Sequence, residues 1–209
     1  MGTKRILITA GPTWVPIDNV RVISNIATGE TGILLAEELA ARGAKVTLLL
    51  GPVDACCLNK KIRLIRFKFF DELKNRIIRE LKSGRYDIVI HSAAVSDYRP
   101  KIRYAHKISS GLREWKLNLV PAQKIIDLIK KTKTCVFLVG FKFEPAANKK
   151  TLINKARALM KRANLNLAVA NSIDKNRYCS YIVSDKRIFG PYLNKVGTVK
   201  GLIKLLGEY

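Results

Sequence analysis

The chain has 209 residues, 48% of them hydrophobic, which is enough to bury one sizeable core and short for two. Its 39 Lys and Arg against 16 Asp and Glu give a net charge of +23, a general attraction for anions. The basic residues are spread along the whole chain, with no Arg-rich tail and no aromatic–basic interleaving, which argues against a nucleic-acid module. No apolar run approaches the roughly 18 residues of a membrane span. The start, Met1-Gly2-Thr3-Lys4-Arg5, lacks a signal-peptide pattern, so a soluble cytoplasmic protein is expected.

In chain order, Ile6-Leu7-Ile8 is a short apolar run that predicts a strand buried on both faces. It ends at Thr9-Ala10-Gly11-Pro12-Thr13, where small residues and a proline force a turn. A second small-residue turn, from Asn25 to Gly32, leads into an apolar-periodic helix at 33–42. Free backbone N–H groups at such a helix start suit phosphate, although a plain strand–loop–helix connection reads equally well. The spacing is not the dinucleotide fingerprint G-x-G-x-x-G.

Residues 45–50 predict a second buried strand, closed by Gly51-Pro52, and the apolar–basic alternation at 62–67 predicts a strand nearer an edge. Helical periodicity at 71–82 is followed by a strand at 86–90 and then by His91-Ser92-Ala93-Ala94-Val95-Ser96-Asp97. Residues 98–114 break the rhythm, and a structureless stretch of that length predicts an active-site lid or a linker. A helix at 122–131 precedes a core strand at 136–139 that ends at Gly140-Phe141-Lys142-Phe143-Glu144. A basic helix at 148–162 and a strand at 165–170 follow, the latter ending at Asn171-Ser172. The tail predicts antiparallel strands at 181–184 and 187–189 about Asp185-Lys186, then a closing helix at 195–206. Strands alternating with helices mean an α/β, Rossmann-like, doubly wound and mostly parallel sheet with a C-terminal antiparallel hairpin, in a single domain over residues 1–209. The loops after the parallel strands should gather at the carboxyl-end edge, where such folds bind ligands. Four cysteines, Cys56, Cys57, Cys135 and Cys179, show no metal or redox spacing; no metal site is expected, and Cys135 reads as a small core residue.

Five ordered stretches carry a more specific likeness. They are Thr9 to Thr13 with Pro16-Ile17-Asp18, Val20-Arg21, Ile23-Ser24-Asn25, Gly29 and Gly32; Ala93 to Pro100; Lys107; Val139 to Glu144; and Val169-Ala170-Asn171. In order and spacing they resemble the phosphopantothenate–cysteine ligase (phosphopantothenoylcysteine synthetase) family, over nearly the whole chain and in its stand-alone form. The resemblance implies a step of coenzyme A biosynthesis. CTP, or ATP, with Mg²⁺ activates the carboxylate of 4′-phosphopantothenate as an acyl nucleotidylate, which then receives the amine of cysteine. It also implies nucleotide contacts from Gly11, Ser92, Ala93, Ala94, Asp97, Lys107, Pro121 and Phe141, and a substrate site of Asn25, Thr28, Gly29 and Ala94, with Asn25 and Lys107 as the catalytic pair. A homodimer through residues 181–189 and a separate decarboxylase protein complete what the resemblance implies.

The residue types suit that chemistry. Attack on an α-phosphate builds negative charge that a lysine on a closing loop can meet. An amide can donate to an acyl carbonyl and accept from an amine, which fits Asn25. Three places depart from the family pattern. Glu30 stands where a lysine is usual, Lys107 alone remains of a lysine cluster, and Val120-Pro121-Ala122-Gln123 lacks two polar side chains. On the basic helix, Lys161 and Arg162 are loose candidates for a lysine pair. His91 and His106 have no identifiable partner and receive no catalytic role. Two other readings stay open: an NAD(P)-dependent Rossmann reductase, which lacks its glycine motif and any Tyr-x-x-x-Lys since Tyr98 is followed by Ile102, and a non-catalytic nucleotide- or nucleic-acid-binding relative.

Overall fold

A computed structural model describes residues 3–55, 57 and 59–208; Cys56 therefore lies outside the described residues. The chain opens with β1 (Arg5–Ala10), a small hairpin of β2 (Trp14–Pro16) and β3 (Val22–Ser24), and α1 (Glu30–Ala41). Then come β4 (Lys45–Leu50), β5 (Arg63–Arg66), α2 (Phe70–Ser83), β6 (Ile88–His91) and a ribbon of β7 (Tyr98–Pro100) and β8 (Leu119–Pro121). The second half runs α3 (Ile125–Thr132), β9 (Phe137–Phe143), α4 (Lys149–Ala163), β10 (Leu167–Asp174), β11 (Arg177–Val183), β12 (Ile188–Tyr192) and α5 (Lys195–Gly207).

Eight strands form one sheet in the order β12-β11-β10-β9-β6-β1-β4-β5. From β5 to β10 all pairings are parallel, and β11 and β12 continue it antiparallel. This is the expected doubly wound α/β sheet with an antiparallel C-terminal edge. Side chains of a strand alternate between faces, and the interior parallel strands β1, β4, β6 and β9 are largely apolar on both. Leu7, Leu49, Val89 and Leu138 enter the core beneath α2, α3 and α4. Ile6, Ile8, Leu48, Leu50, Ile88 and Ile90 enter a second core beneath α1 and α5. β5 closes one edge, as its alternating apolar and basic residues predicted. Asn148 and Asn194 cap α4 and α5, their side-chain oxygens accepting from Thr151 N–H at 2.9 Å and Gly197 N–H at 2.7 Å. Among the described residues no helix is long and apolar enough to cross a membrane.

Several expectations are corrected. β9 does not stop at Gly140 but continues to Phe143, pairing with Ala168 to Asn171 of β10. Gly140 is small because a Cβ there would meet Leu165 Cδ1 at 2.6 Å and Ile126 Cδ1 at 2.9 Å, not because the strand ends. β10 likewise runs on and turns back into β11 through Lys175 and Asn176, both at positive φ, as a tight hairpin requires. The 98–114 stretch is not wholly irregular: β7 pairs with β8, so 101–118 is the loop of a ribbon. Tyr181, Ile182 and Val183 are buried in an interior strand, so the exposed part of the 181–189 segment is the turn at 185–187 and Ile188 at the start of edge strand β12. Cys135 is exposed, having fallen in the α3–β9 loop just ahead of the apolar run.

Candidate functional site

The strand order reverses between β1 and β6, the place where doubly wound sheets leave a crevice at their carboxyl ends. Here the two loops above that point are sewn together. Ala94 N–H donates to Gly11 O at 2.9 Å and Thr13 N–H to Ala94 O at 3.3 Å. Ser96 N–H donates to Thr13 Oγ1 at 3.1 Å. Beneath them the buried Thr9 hydroxyl meets His91 Nδ1 at 2.8 Å and accepts from Ala93 N–H at 3.3 Å. Burial pushes the His91 imidazole down to about 4, so it is neutral at pH 7.

Close glycine contacts bring the start of α1 onto this seam. Gly29 takes φ +74° against Gly11, itself at φ +80°, and a Cβ on Gly32 would lie 2.3 Å from the Ala10 Cβ. The Ser92 hydroxyl donates to Thr9 O at 2.7 Å and packs against Gly32, so it joins β6 to β1 and α1. Thr28 is exposed, its Oγ1 accepting loosely from Glu30 N–H at 3.4 Å. The Glu30 carboxylate is neutralised by a close ion pair with Lys195 of α5, which answers the like-charge objection its place at this turn raises. Asn25 is exposed, and its Nδ2 donates to Ala94 O at 3.0 Å, tying the expected substrate loop to the alanine element.

Beside the seam opens a cleft of about 480 Å³. His91, Ala93, Val95, Asp97 and Phe141 line it from the strand ends, and Lys142 and Glu144 from the tail of β9. Lys124 and the Ile125–Ile126 turn of α3 face it, and α4 contributes Lys155, Ala158, Leu159 and Arg162. Four cations thus face two carboxylates. Asp97 forms a close ion pair with Lys124, both well exposed; such a pair is worth little and is readily exchanged for a ligand. Glu144 bridges Lys142 at 2.8 Å and Lys155 at 2.5 Å. Hydrogen bonds from Lys142 and then Lys155 hold its carboxyl below the ordinary glutamate value, against a smaller opposing effect of burial. Arg162 approaches Asp127 of α3 at 3.4 Å.

Of the sequence-derived residues, Ala93, Asp97, Phe141 and Arg162 share the cleft, while Gly11, Ser92, Ala94 and Asn25 form the adjoining seam. Pro121 faces a neighbouring cavity of about 730 Å³ instead. Lys107 is exposed on the ribbon loop, and Lys161 is exposed and off the cleft, one helical step from the face that lines it. Lys124, Lys142, Glu144 and Lys155 receive no site role from the sequence. Lys155, Ala158, Leu159 and Arg162 stand at i, i+3, i+4 and i+7, one face of a helix, a spacing that would have favoured Lys155 over Lys161.

Residues 1–185 match the family described as DNA/pantothenate metabolism flavoprotein C-terminal domain. The coenzyme A biosynthesis bifunctional protein CoaBC of Thermococcus kodakarensis is 41% identical over 172 residues, covering 81% of this chain and 41% of that protein. A crystal structure of the C-terminal domain of a protein of the same name superposes with a TM-score of 0.77 at 28% identity, covering 97% of this chain and 93% of the other. The DNA/pantothenate metabolism flavoprotein of Streptococcus pneumoniae shares the fold, with a TM-score of 0.88 at 24% identity and 99% of each chain covered. The chain spans less than half the length of curated relatives such as the Thermococcus kodakarensis protein. Motifs, sheet order and sequence agree, and the chain belongs to the DNA/pantothenate metabolism flavoprotein C-terminal domain family.

Proposed function

We propose that this chain joins 4′-phosphopantothenate to cysteine through an acyl nucleotidylate, a step of coenzyme A biosynthesis. The observation that carries the reading is the cleft at the β6 and β9 ends, with four cations gathered around Ala93, Asp97 and Phe141. In the first step a carboxylate oxygen attacks the α-phosphorus and pyrophosphate leaves. Lys124, Lys142, Lys155 and Arg162 suit a triphosphate whose charge grows at that moment, and Lys107 would approach from the ribbon loop. Phe141 offers a face for the base. Mg²⁺, entering with the triphosphate, would neutralise phosphate charge, and Asp97 and Glu144 are the carboxylates bordering the cleft. In the second step the cysteine amine attacks the acyl carbon, losing a proton as the nucleoside monophosphate departs. Asn25, one N–H already directed at Ala94 O, retains an acceptor for the amine and a second N–H for the acyl oxygen. Homodimerisation and supply of the product to a decarboxylase belong to the same reading.

Incubation with 4′-phosphopantothenate, cysteine, Mg²⁺ and CTP is expected to release pyrophosphate and CMP, and a parallel reaction with ATP identifies the nucleotide. Absence of coupled product with either would overturn the assignment. Asn25→Asp is expected to let the acyl nucleotide accumulate; first-step activity without accumulation would remove Asn25 from the second step. The reductase reading has less support, because the loops at the β1–β6 crevice are hydrogen-bonded across it.

A further inference from the structure

The β2–β3 hairpin turns at Asp18, which is only 2% exposed although the turn lies at the surface. Its two carboxylate oxygens have different partners. Oδ1 accepts from the backbone N–H of Val20 at 2.8 Å and of Arg21 at 2.7 Å, which closes the turn. Oδ2 accepts from the Arg21 guanidinium at 2.9 Å and from the backbone N–H of Ile108 at 3.3 Å, 90 residues further along. Arg21 completes the clasp by donating to the Ile108 carbonyl at 3.1 Å, with its guanidinium 5.2 Å from the centre of the Trp115 ring. The hairpin also accepts from Tyr104 N–H at Ile17 O, 2.9 Å away. Both backbone polar groups of Ile108 are therefore held, in a loop whose other residues are almost all exposed. Burial would raise the Asp18 pKa, but the N–H groups of Val20, Arg21 and Ile108 and the Arg21 charge outweigh it, so the carboxyl sits below its ordinary value and the clasp works as an anion.

A turn at the surface has no need of a sealed carboxylate reaching a distant loop. We infer that Asp18 is a positioning residue: by fixing Ile108 it sets the place of Lys107, the adjacent residue of the ribbon loop. The inference rests on the proposed ligase reading, in which Lys107 meets the charge growing on the α-phosphate.

Asp18→Asn separates the two duties. The asparagine carbonyl can keep the Val20 and Arg21 N–H groups, while its NH₂ faces the Ile108 N–H and the Arg21 guanidinium, donor against donor. The expected result is a folded protein whose 101–118 loop is cut faster by trypsin. Its kcat falls on the order of ten- to a hundredfold, the scale of a misplaced catalytic group, while the nucleotide KM stays within about twofold. In a Lys107→Ala background Asp18→Asn should cost nothing further, because the two act as one unit. Effects that multiply, or an unchanged loop and kcat, would overturn the inference. Should Asp18→Asn unfold the chain, Ile108→Pro deletes the N–H from the loop side and leaves the turn intact. The same fall in kcat is then expected, with faster trypsin cleavage read at Lys101, Arg103, Arg113 and Lys116, because a proline after Lys107 makes that bond itself resistant. A wild type inactive with every nucleotide would sink the ligase reading alone, since the cleavage comparison still reports whether Asp18 anchors the loop.

Discussion

Replacing Gly32 by alanine separates two reasons for a glycine at the start of α1. One is room for a phosphate at a helix N-terminus; the other is contact between helix and sheet. The added Cβ would lie 2.3 Å from the Ala10 Cβ and 2.9 Å from Ser92 Oγ, against roughly 3.5–4.0 Å for a relaxed carbon contact. Neither neighbour can turn aside. The Ala10 Cβ is rigid on the central strand, and the Ser92 hydroxyl is committed to Thr9 O at 2.7 Å. The helix start must lift by about 1 Å or more, and overpacking of this kind costs roughly 1–3 kcal/mol, occasionally more. Better helix propensity returns at most about 1 kcal/mol. A net loss of about 2 kcal/mol is expected, which lowers Tm by about 4–8 °C in a chain of this size.

Thermal unfolding followed by circular dichroism measures it. Ala10→Gly removes the nearer contact, so the double variant Ala10→Gly/Gly32→Ala should be about 1 kcal/mol more stable than the two single losses added together. A Gly32→Ala protein melting within about 1 °C of wild type would refute the packing account. If that same protein bound nucleotide or phosphopantothenate more weakly, phosphate approach would replace it as the reason for the glycine.

Three further outcomes are expected. Glu80, with its side chain 10% exposed, takes two hydrogen bonds from Arg63 at 2.8 and 3.0 Å and one from Tyr86 at 2.5 Å. Burial raises its pKa, but these partners prevail and hold it below the ordinary 4.5. Its stabilisation is therefore complete above that value and lost as pH falls through the depressed one, so Glu80→Gln should be less stable at pH 7 by about 1–3 kcal/mol, a difference that shrinks below pH 4.5 in chemical unfolding. His91 has the opposite charge logic: its value drops from 6.5 to about 4 on burial, so the unfolded chain binds the proton first. Acidification between those values should remove up to roughly 3 kcal/mol that His91→Gln retains, and NMR should show the native ring untitrated at pH 6; titration near 6.5 would refute its burial. Lys155→Ala should raise the nucleotide KM tenfold or more, the scale of a charge-assisted hydrogen bond, whereas Lys161→Ala should leave it within about twofold. Equal effects would show that the cleft face of α4 has been misassigned.

Much of this protein was legible in the order of its residues. Ile6-Leu7-Ile8, the apolar run of β4 and Ile88-Val89-Ile90 announce buried parallel strands because both neighbours of such a strand are helices, leaving no polar face. The two arginines of β5, interleaved with apolar residues, mark an edge for the converse reason. The loops that follow β1 and β6 were legible in part: Gly11-Pro12-Thr13 and Ser92-Ala93-Ala94 interrupt the apolar runs, although Thr9, Ala10 and His91 still belong to the strands.

Only tertiary structure decided the rest. A strand's end is set by its neighbours, so Gly140 could stop β9 or pass through it until β10 supplied a partner along Phe141 to Phe143. The choice of Lys155 over Lys161 depends on which face of α4 meets the sheet. Glu30 reads as a repulsive charge until Lys195, 165 residues away, is folded against it. Asp18 reads as a turn residue until Ile108 arrives from the far side of the chain. Local sequence carries periodicity and turn chemistry, because those arise between near neighbours. Charge pairing and the aim of a side chain arise between segments that meet only once the sheet has formed.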